Sequence, residues 1–251
     1  MPEKGGEGGS ERGSNPLLAG GRVAALIPAA GSGQRMGGPL PKPYQMLGGR
    51  EILAHTLDVF EGCGAIDEVW LIVAAERCDY CRTGLVERYG YRKVRGVVAG
   101  GAERQASVWR GLQALAPEVE LVVVHDGVRP LVTGELLQRT LESAARHGAA
   151  IAAAPLKDTL KRVSAAGEIE ATIPRERLWR AQTPQAFQRG VLQAAFEHAW
   201  RAGLSATDEA GLVEALGRPV WVVEGREDNV KITTPDDLRV CESLLAQRAA
   251  P

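Results

Sequence analysis

Two cations, Arg35 and Lys42, follow a loop of small residues close to the start of the chain. A glycine-rich loop after a strand points unpaired backbone N–H groups into one volume, and such groups bind anions, above all phosphate. The loop has the sequence P-A-A-G-S-G, and four of its residues are candidates for contact with a phosphorylated ligand: Ala29, Ala30, Gly31 and Gly33. We therefore expect the loop to bind phosphates and the two cations to neutralise them.

The spacing in this loop differs from the two best-known phosphate-binding loops. The Walker pattern ends in G-K-[ST], which is absent here, and the dinucleotide fingerprint needs a glycine where Met36 stands. Three prolines in P-L-P-K-P also prevent a long helix from starting at once. A longer loop with its own Arg and Lys suits a triphosphate. The alternative is a flexible loop without a ligand, which the cations and the rigid P-K-P segment disfavour.

A second candidate site follows the apolar run L-V-V-V, where the sequence continues H-D-G-V-R-P. Ligands of open α/β sheets bind beyond the carboxyl ends of the strands, so Asp126 and Arg129 are expected near the first loop. Mg²⁺ is usually held by one or two carboxylates together with phosphate oxygens, and we expect Asp126 to hold Mg²⁺ or another divalent cation. Arg129 would bind an anionic substrate group. The alternative is an Asp126–Arg129 ion pair within the loop. We expect His125 to be a packed residue.

The segment D-N-V-K-I-T-T-P-D-D-L near the end of the chain supplies a third cation, Lys231. Its V-K-I context predicts a strand, and a buried lysine without an anion would be costly, so Lys231 should face a wet, anionic site. We interpret it as a phosphate-binding cation. Asp228 is either a second metal ligand or a turn residue. The last helix is expected to begin at Pro235 with Thr234 as its N-cap.

These residues need elements that bring them together, and the hydrophobic pattern predicts alternating strands and helices. The predicted fold class is α/β, a doubly wound, mostly parallel sheet with helices on both faces. A β-hairpin at 157–163 and 168–173 interrupts the alternation. Residues 178–187 are predicted to form a proline-containing loop, with Trp179 and Phe187 in the core. The predicted strands are 23–27, 68–75, 94–98, 121–124, 149–155 and 220–225, and the predicted helices are 51–60, 77–89, 136–147, 188–201 and 208–216.

The composition is that of an ordinary globular protein, with 251 residues, 45% hydrophobic residues and a net charge of −1. We expect residues 1–20 to be a disordered tail and residues 21–251 to form a single domain. The charge gives no reason to expect nucleic acid or membrane as a partner, and no long apolar run or secretory signal is present, so a cytoplasmic location is expected. Cys78 and Cys81 lie in a predicted helix and are expected to be reduced.

Five motifs in order give the chain a family resemblance that covers about residues 22–245: P-A-A-G-x-G-x-R-M, P-K-x-Y, V-H-D-x-x-R-P, D-T-x-K and D-N-x-K-x-T-x-P-x-D-L. They resemble the sugar-phosphate and polyol-phosphate nucleotidyltransferases, and within them the 2-C-methyl-D-erythritol 4-phosphate cytidylyltransferases. The resemblance implies a Rossmann-like nucleotidyltransferase fold. It also implies transfer of a cytidylyl group from CTP to 2-C-methyl-D-erythritol 4-phosphate in the non-mevalonate isoprenoid pathway.

The resemblance also assigns residues that the pattern alone does not. The G-G-A-E-R-Q-A-S segment is similar to the family's cytosine-binding segment, which makes Gly100, Gly101 and Ser107 candidates for binding CTP; without the resemblance it would be a helix start. Thr159 and Arg175 match positions that bind the methylerythritol phosphate. The hairpin, at about 157–175, resembles an arm that embraces a second subunit and implies a homodimer. Thr207 is either a substrate contact or part of a helix N-terminus, and these two interpretations are equally supported.

In the mechanism that this resemblance implies, the acceptor phosphate attacks the α-phosphorus of CTP in line and pyrophosphate leaves. Arg35, Lys42 and Lys231 would be the catalytic cations. Three alternatives remain open: a cytidylyltransferase for another polyol phosphate such as ribitol 5-phosphate, a nucleotide-binding protein without turnover, and a nicotinamide-dependent oxidoreductase. The missing third glycine and the prolines of the first loop argue against the last of these.

Overall fold

The computed structural model describes residues 21–31 and 40–249, and a seven-stranded sheet forms its centre. The strands of this sheet are β1 (Arg22–Pro28), β4 (Glu68–Val73), β5 (Val94–Ala99), β6 (Val119–Val124), β7 (Ala149–Pro155), β10 (Trp179–Gln188) and β11 (Trp221–Glu224). Their spatial order is β11-β7-β10-β6-β1-β4-β5. β10 runs antiparallel to β6 and β7, and the other neighbouring pairs are parallel, which confirms the predicted mostly parallel sheet.

Helices cover both faces of the sheet. The helices are α1 (Ile52–Gly62), α2 (Cys78–Tyr80), α3 (Arg104–Ala114), α4 (Gly134–His147), α5 (Arg189–Ala202), α6 (Glu209–Ala215) and α7 (Pro235–Ala249). Successive strand residues point to opposite faces. Val23, Ala25 and Ile27 of β1 therefore join one buried cluster with α1 and α4, while Ala24 and Leu26 join another with α3, α5 and α6. The sheet is thus doubly wound, as the sequence predicts.

The helical segment that contains Cys78 and Cys81 is irregular. It starts as a 3₁₀ turn (Ala75–Arg77), passes through α2 and a π-helix (Cys81–Glu87), and ends with the α-helical residues 88–89. The predicted helix at 77–89 is therefore helical backbone of mixed type. Both cysteines are free thiols, as expected, and the hydroxyl of Tyr44 lies 3.5 Å from the sulfur of buried Cys81.

Two predicted segments differ in the structure. The loop predicted at 178–187 is strand β10, and its pairing with β7 shifts register between Ala181 and Gln185, around Pro184. A proline is tolerated in a strand at such an irregularity because no ladder N–H is needed there. Phe187 is buried as predicted, but the prediction for Trp179 is wrong, since its side chain is 42% exposed. Lys231 lies in irregular backbone rather than in the predicted strand.

Two small hairpins lie outside the central sheet. β2 (Met46–Leu47) and β3 (Arg50–Glu51) form a short one, which was not predicted because two-residue strands carry no measurable alternation of apolar and polar residues. β8 (Leu160–Val163) and β9 (Ile169–Ile173) form the predicted hairpin, which we call the arm. Every residue of β8 is exposed, and its outward apolar side chains include Leu160 and Val163.

The last helix begins where the sequence predicts. α7 begins at Pro235, and the hydroxyl of Thr234 accepts a hydrogen bond from the N–H of Asp237, which confirms the predicted helix start. None of the helices in residues 21–31 and 40–249 is long and apolar enough to cross a membrane. The predicted tail, residues 1–20, lies outside the described residues, as do Gly33 and Arg35.

Candidate active site

A cavity of about 630 Å³ opens at the carboxyl ends of the parallel strands. Its walls come from the loops after β1, β5 and β6, from the 3₁₀ helix Lys42–Tyr44 and from the segment between β11 and α7. The lining residues are Pro28, Ala29, Ala30, Gly31, Lys42, Pro43, Gly101, Ala102, Glu103, Arg104, Ser107, Asp126, Val128 and Lys231. This is the edge of an open α/β sheet at which ligands are expected to bind.

The loop between β5 and α3 is closed by Ser107, one turn into the helix. The Oγ of Ser107 accepts a hydrogen bond from the N–H of Gly101 at 3.0 Å and donates one to the carbonyl of Glu103 at 2.9 Å. A Cβ at Gly100 would lie 2.8 Å from the Cβ of Ala30 and 2.9 Å from the Oγ of Ser107. Only glycine therefore lets this loop approach the loop after β1 so closely, and the two loops form one continuous wall.

Asp126 is the most strongly paired carboxylate at the cavity. Its Oδ2 lies 2.9 Å from Lys231 Nζ and 3.4 Å from Arg129 Nε, and its Oδ1 lies 3.5 Å from an Arg104 nitrogen. Burial alone would raise the pKa of Asp126, but the positive charges of Lys231, Arg104 and Arg129 outweigh burial and hold this pKa well below its usual range. Asp126 is therefore ionised at neutral pH and presents a charged group to the cavity.

His125 precedes Asp126 and belongs to a buried hydrogen-bond chain. Its Nε2 lies 3.2 Å from the carbonyl of Arg129, which can only accept, so Nε2 carries a proton and Nδ1 is free to accept one from Thr183 Oγ1 at 3.0 Å. The same Thr183 oxygen accepts the N–H of Asp126 at 3.1 Å. Burial lowers the pKa of His125 to about 4, so its ring is neutral at pH 7. It is a packed residue, as predicted, and it fixes the backbone at Asp126.

Arg129 is held on two sides. Besides its contact with Asp126, one nitrogen donates to the carbonyl of Asn229 at 2.8 Å, and the side chain is 11% exposed. The side-chain amide of Asn229 donates in turn to the carbonyl of Thr183 at 2.8 Å. The Asp126–Arg129 ion pair that was weighed as an alternative is therefore present. In this structure Arg129 does not line the cavity; it contacts Asp126, which does.

The structure brings most of the predicted site residues together. Those that line the cavity are Ala29, Ala30, Gly31, Lys42, Gly101, Ser107, Asp126 and Lys231, with Gly100 directly behind them. Thr159 and Arg175 are exposed on and beside the arm, where Arg175 donates to the carbonyl of Lys157. Thr207 is exposed and outside the lining, and the N-cap of α6 is Asp208, whose carboxylate accepts from Gly211 N–H at 3.0 Å.

Arg104 and Glu209 also belong to the site, although neither was predicted from the sequence. Arg104, the first residue of α3, lines the cavity, and its guanidinium donates to Glu209 at 2.7 Å. Glu209 is 1% exposed. The E-R dipeptide inside G-G-A-E-R was the available signal for Arg104. Nothing in the T-D-E segment distinguishes Glu209 from an ordinary acidic residue of a first helical turn.

Asp228 has partners away from the cavity. Its carboxylate accepts two hydrogen bonds from Arg226 and one from Arg248, each at 2.8 Å, and these hydrogen bonds lower its pKa to about 2. Of the two alternatives for Asp228, this arrangement favours a structural residue of the turn that precedes Lys231.

The residues at the cavity fit a divalent cation that arrives with phosphates. No group of three or more His, Cys, Asp or Glu side chains with metal-ligand geometry occurs among the residues that the structure describes. Asp126 offers one ionised carboxylate facing the cavity, surrounded by cations that would repel a bare metal ion. Mg²⁺ commonly binds through one carboxylate plus phosphate oxygens, so this donor set suits a metal–nucleotide complex and not a dedicated metal cage.

Comparison with known proteins agrees with this geometry. Residues 23–247 match the family model for 2-C-methyl-D-erythritol 4-phosphate cytidylyltransferase. A curated enzyme of that name from Geotalea uraniireducens (strain Rf4) is 49% identical over 226 residues, which cover 89% of this chain and 97% of the relative, and one from Syntrophus aciditrophicus (strain SB) is 47% identical over 89% of this chain and 96% of the relative.

Solved structures agree as well. The crystal structure of 4-diphosphocytidyl-2C-methyl-D-erythritol synthase from Anaerococcus prevotii superposes with a TM-score of 0.81 at 34% identity and covers 93% of this chain and 100% of that one. The 2-C-methyl-D-erythritol 4-phosphate cytidylyltransferase from Thermus thermophilus superposes with a TM-score of 0.72 at 38% identity, over 90% and 99% of the two chains. The match over almost all of the chain after residue 22 leaves one conclusion: the chain belongs to the 2-C-methyl-D-erythritol 4-phosphate cytidylyltransferase family.

Proposed function

We propose that this cavity is the place where the protein transfers a cytidylyl group from CTP to 2-C-methyl-D-erythritol 4-phosphate, in the non-mevalonate isoprenoid pathway. The products are 4-diphosphocytidyl-2-C-methyl-D-erythritol and pyrophosphate. The observation that carries the proposal is the arrangement of Lys42, Lys231 and ionised Asp126 around one cavity, in a chain that belongs to this family. A cavity of about 630 Å³ is within the usual size range of small-ligand sites.

The reaction needs positioned cations more than it needs a base. The acceptor phosphate is already ionised, and its oxygen attacks the α-phosphorus of CTP while the bond to the leaving pyrophosphate breaks. Negative charge grows on the α-phosphate oxygens and on the leaving group, so catalysis rests on alignment and electrostatic stabilisation. We assign this stabilisation to Lys42 and Lys231, together with Arg35, which lies outside the described residues. Neutral, buried His125 takes no part in proton transfer.

The nucleotide would lie along the continuous wall formed by the two glycine loops. The backbone of Ala29, Ala30 and Gly31, with Gly33 beyond the described residues, would contact the triphosphate. The loop at Gly100, Gly101 and Ser107 would contact the cytosine. When Mg²⁺ is bound, it supplies charge neutralisation of the phosphates, and Asp126 is the residue of this chain that would hold it.

The acceptor site is proposed to include a second subunit. Thr159 and Arg175 carry the family's acceptor-binding positions, yet both are exposed and neither lines the cavity of its own chain. The arm also exposes apolar residues that an isolated chain leaves in water: Leu160, Val163 and Ile169. We therefore propose a homodimer in which each arm reaches the partner's cavity. We also propose that the enzyme works in the cytoplasm. Thr207 remains a proposed substrate contact, supported only by the family position.

Pyrophosphate release with CTP, Mg²⁺ and one acceptor per reaction tests the proposal. Release with 2-C-methyl-D-erythritol 4-phosphate, and not with ribitol 5-phosphate, is expected. Release with ribitol 5-phosphate alone would keep the cytidylyltransferase chemistry and overturn the acceptor. If CTP binds but no acceptor leads to pyrophosphate release, the protein would be a nucleotide-binding protein without turnover.

A further inference from the structure

Glu209 is a buried acidic residue in the first turn of α6, and its partner Arg104 lines the cavity. Its Oε1 accepts a hydrogen bond from Arg104 at 2.7 Å, and its side chain is 1% exposed. Its second oxygen, Oε2, is buried and has no hydrogen-bond partner within residues 21–31 and 40–249. Burial raises the pKa of Glu209, and the guanidinium of Arg104 opposes that rise. A buried carboxylate with one unsatisfied oxygen is costly, so this one calls for a functional reason.

Arg104 stands between two carboxylates. One of its terminal nitrogens contacts Glu209 Oε1, and the other lies 3.5 Å from Asp126 Oδ1, beyond hydrogen-bonding distance. Asp126 Oδ2 is already contacted by Lys231 and Arg129. Arg104 is therefore held more closely by Glu209 than by Asp126.

We propose that Glu209 is a positioning residue for nucleotide binding: it holds Arg104 at the cavity wall, where the guanidinium contacts an anionic group of the nucleotide, and it keeps Arg104 from closing on Asp126. This rests on the proposed assignment of the cavity to CTP. Once the charge of Glu209 is removed, Asp126 becomes the stronger partner of Arg104. The closer pair then withdraws both groups from the ligand.

The test is the dissociation constant of CTP, measured by calorimetry on the full chain with Mg²⁺ and without an acceptor. Glu209→Gln is expected to raise the Kd about tenfold, the size expected for one charge-assisted hydrogen bond. Arg104→Ala is expected to raise it at least as much. Because Glu209 acts through Arg104, the double variant should bind CTP no more weakly than Arg104→Ala alone.

Glu68→Gln is the matched control. Glu68 is also buried, at 3% exposure, and pairs with Arg22 at 2.8 Å, but it lies at the start of β4, away from the cavity. This change should lower the Tm and leave the Kd for CTP unaltered.

A second readout uses the Arg104→Ala background, in which Glu209 is an unpaired buried charge. There, Glu209→Gln should raise the Tm without changing the Kd, and this comparison holds even if the single Gln variant folds poorly.

Two results would overturn the proposal. One is a Glu209→Gln protein that loses stability as the Glu68→Gln control does but binds CTP normally. The other is a double variant in which the losses of CTP affinity from Glu209→Gln and Arg104→Ala add up.

Lys42→Ala separates this proposal from the site assignment. If Lys42→Ala weakens CTP binding and the Arg104 and Glu209 variants do not, only the positioning role fails. If none of the three affects CTP binding, the cavity is not the nucleotide site.

Discussion

Lys231 Nζ lies 2.9 Å from Asp126 Oδ2, so a lysine near the end of the chain is paired with the aspartate that follows β6. The lysine side chain is 41% exposed and the aspartate side chain 9% exposed. Lys231 is therefore anchored by a buried carboxylate while its ammonium stays accessible from the cavity. This arrangement holds the Lys231 ammonium at the cavity before any ligand arrives, which would lower the cost of ordering it in the proposed phosphate-binding role.

Lys42 also lines the cavity, and its removal should slow the chemical step. Lys42→Ala is expected to reduce kcat on the order of 10²–10³-fold, by analogy with the loss of one group that stabilises transition-state charge. Steady-state rates of pyrophosphate release measure this. Lys93→Ala is the matched control, since Lys93 donates to the carbonyl of Cys63, away from the cavity lining, and should leave kcat unchanged. A Lys42→Ala enzyme with nearly normal kcat would contradict the proposed mechanism.

The buried His125 should make stability depend on pH. Its pKa is about 4 in the folded protein and about 6.5 in the unfolded chain, so the unfolded chain binds more protons between these values. Stability is then fully present above about pH 6.5 and falls as the pH drops toward 4, by roughly 3 kcal/mol for this one group. Urea unfolding of the wild type and of His125→Gln at several pH values isolates the effect. The difference in the free energy of unfolding between the two proteins should become smaller as the pH falls. A difference that does not change with pH would contradict the lowered pKa of His125.

Thr183 should matter for stability through its two hydrogen bonds. Its hydroxyl accepts from the N–H of Asp126 and donates to the ring of His125. Thr183→Val keeps the shape but leaves both buried partners unsatisfied, so it should cost about 2 kcal/mol or more. Thr183→Ser retains the hydroxyl and should cost much less. Urea unfolding at pH 8 compares the two, and equal losses would show that packing, not hydrogen bonding, is what Thr183 contributes.

The parts of this molecule that could be predicted from the sequence are those governed by local patterns. The apolar run of β1 and the small residues after it predicted both a strand and a loop at its carboxyl end, and Lys42, Ser107, Asp126 and Lys231 meet at one cavity as expected. Asp126 directly follows a predicted strand, so the topology rule for open α/β sheets places it at the cavity. Ser107 was assigned through the family resemblance, and Lys231 was predicted to lie within a strand.

The parts that could not be predicted depend on contacts between distant segments. Residues 179–188 join the sheet because β6 and β7 flank them, although the proline in that segment locally favours a loop. Glu209 and Arg104 are about a hundred residues apart in the sequence, and no local pattern predicts that they form a pair. Lys231 lies outside any strand, and a backbone hydrogen bond from the N–H of Ile232 to the carbonyl of Val128 ties its segment to the loop after β6.

The exposed position of Arg175 leads to a prediction about the acceptor. If Arg175 binds the acceptor phosphate in the partner's cavity, Arg175→Ala should raise the KM for 2-C-methyl-D-erythritol 4-phosphate by about tenfold or more and leave the KM for CTP nearly unchanged. Glu176→Ala, a change at the neighbouring exposed residue, is the matched control. A raised KM for CTP instead would place Arg175 at the nucleotide.

Mixed dimers test whether the site is shared between subunits. Lys42→Ala and Arg175→Ala chains are each expected to be defective at a low acceptor concentration. A dimer with one chain of each kind contains one intact site only if Lys42 of one subunit works with the partner's Arg175. Random exchange then restores about a quarter of wild-type activity, because half of the dimers are mixed and half of their sites are intact. Activity that stays at the level of the two separate variants after exchange would mean that each chain supplies both residues to its own cavity.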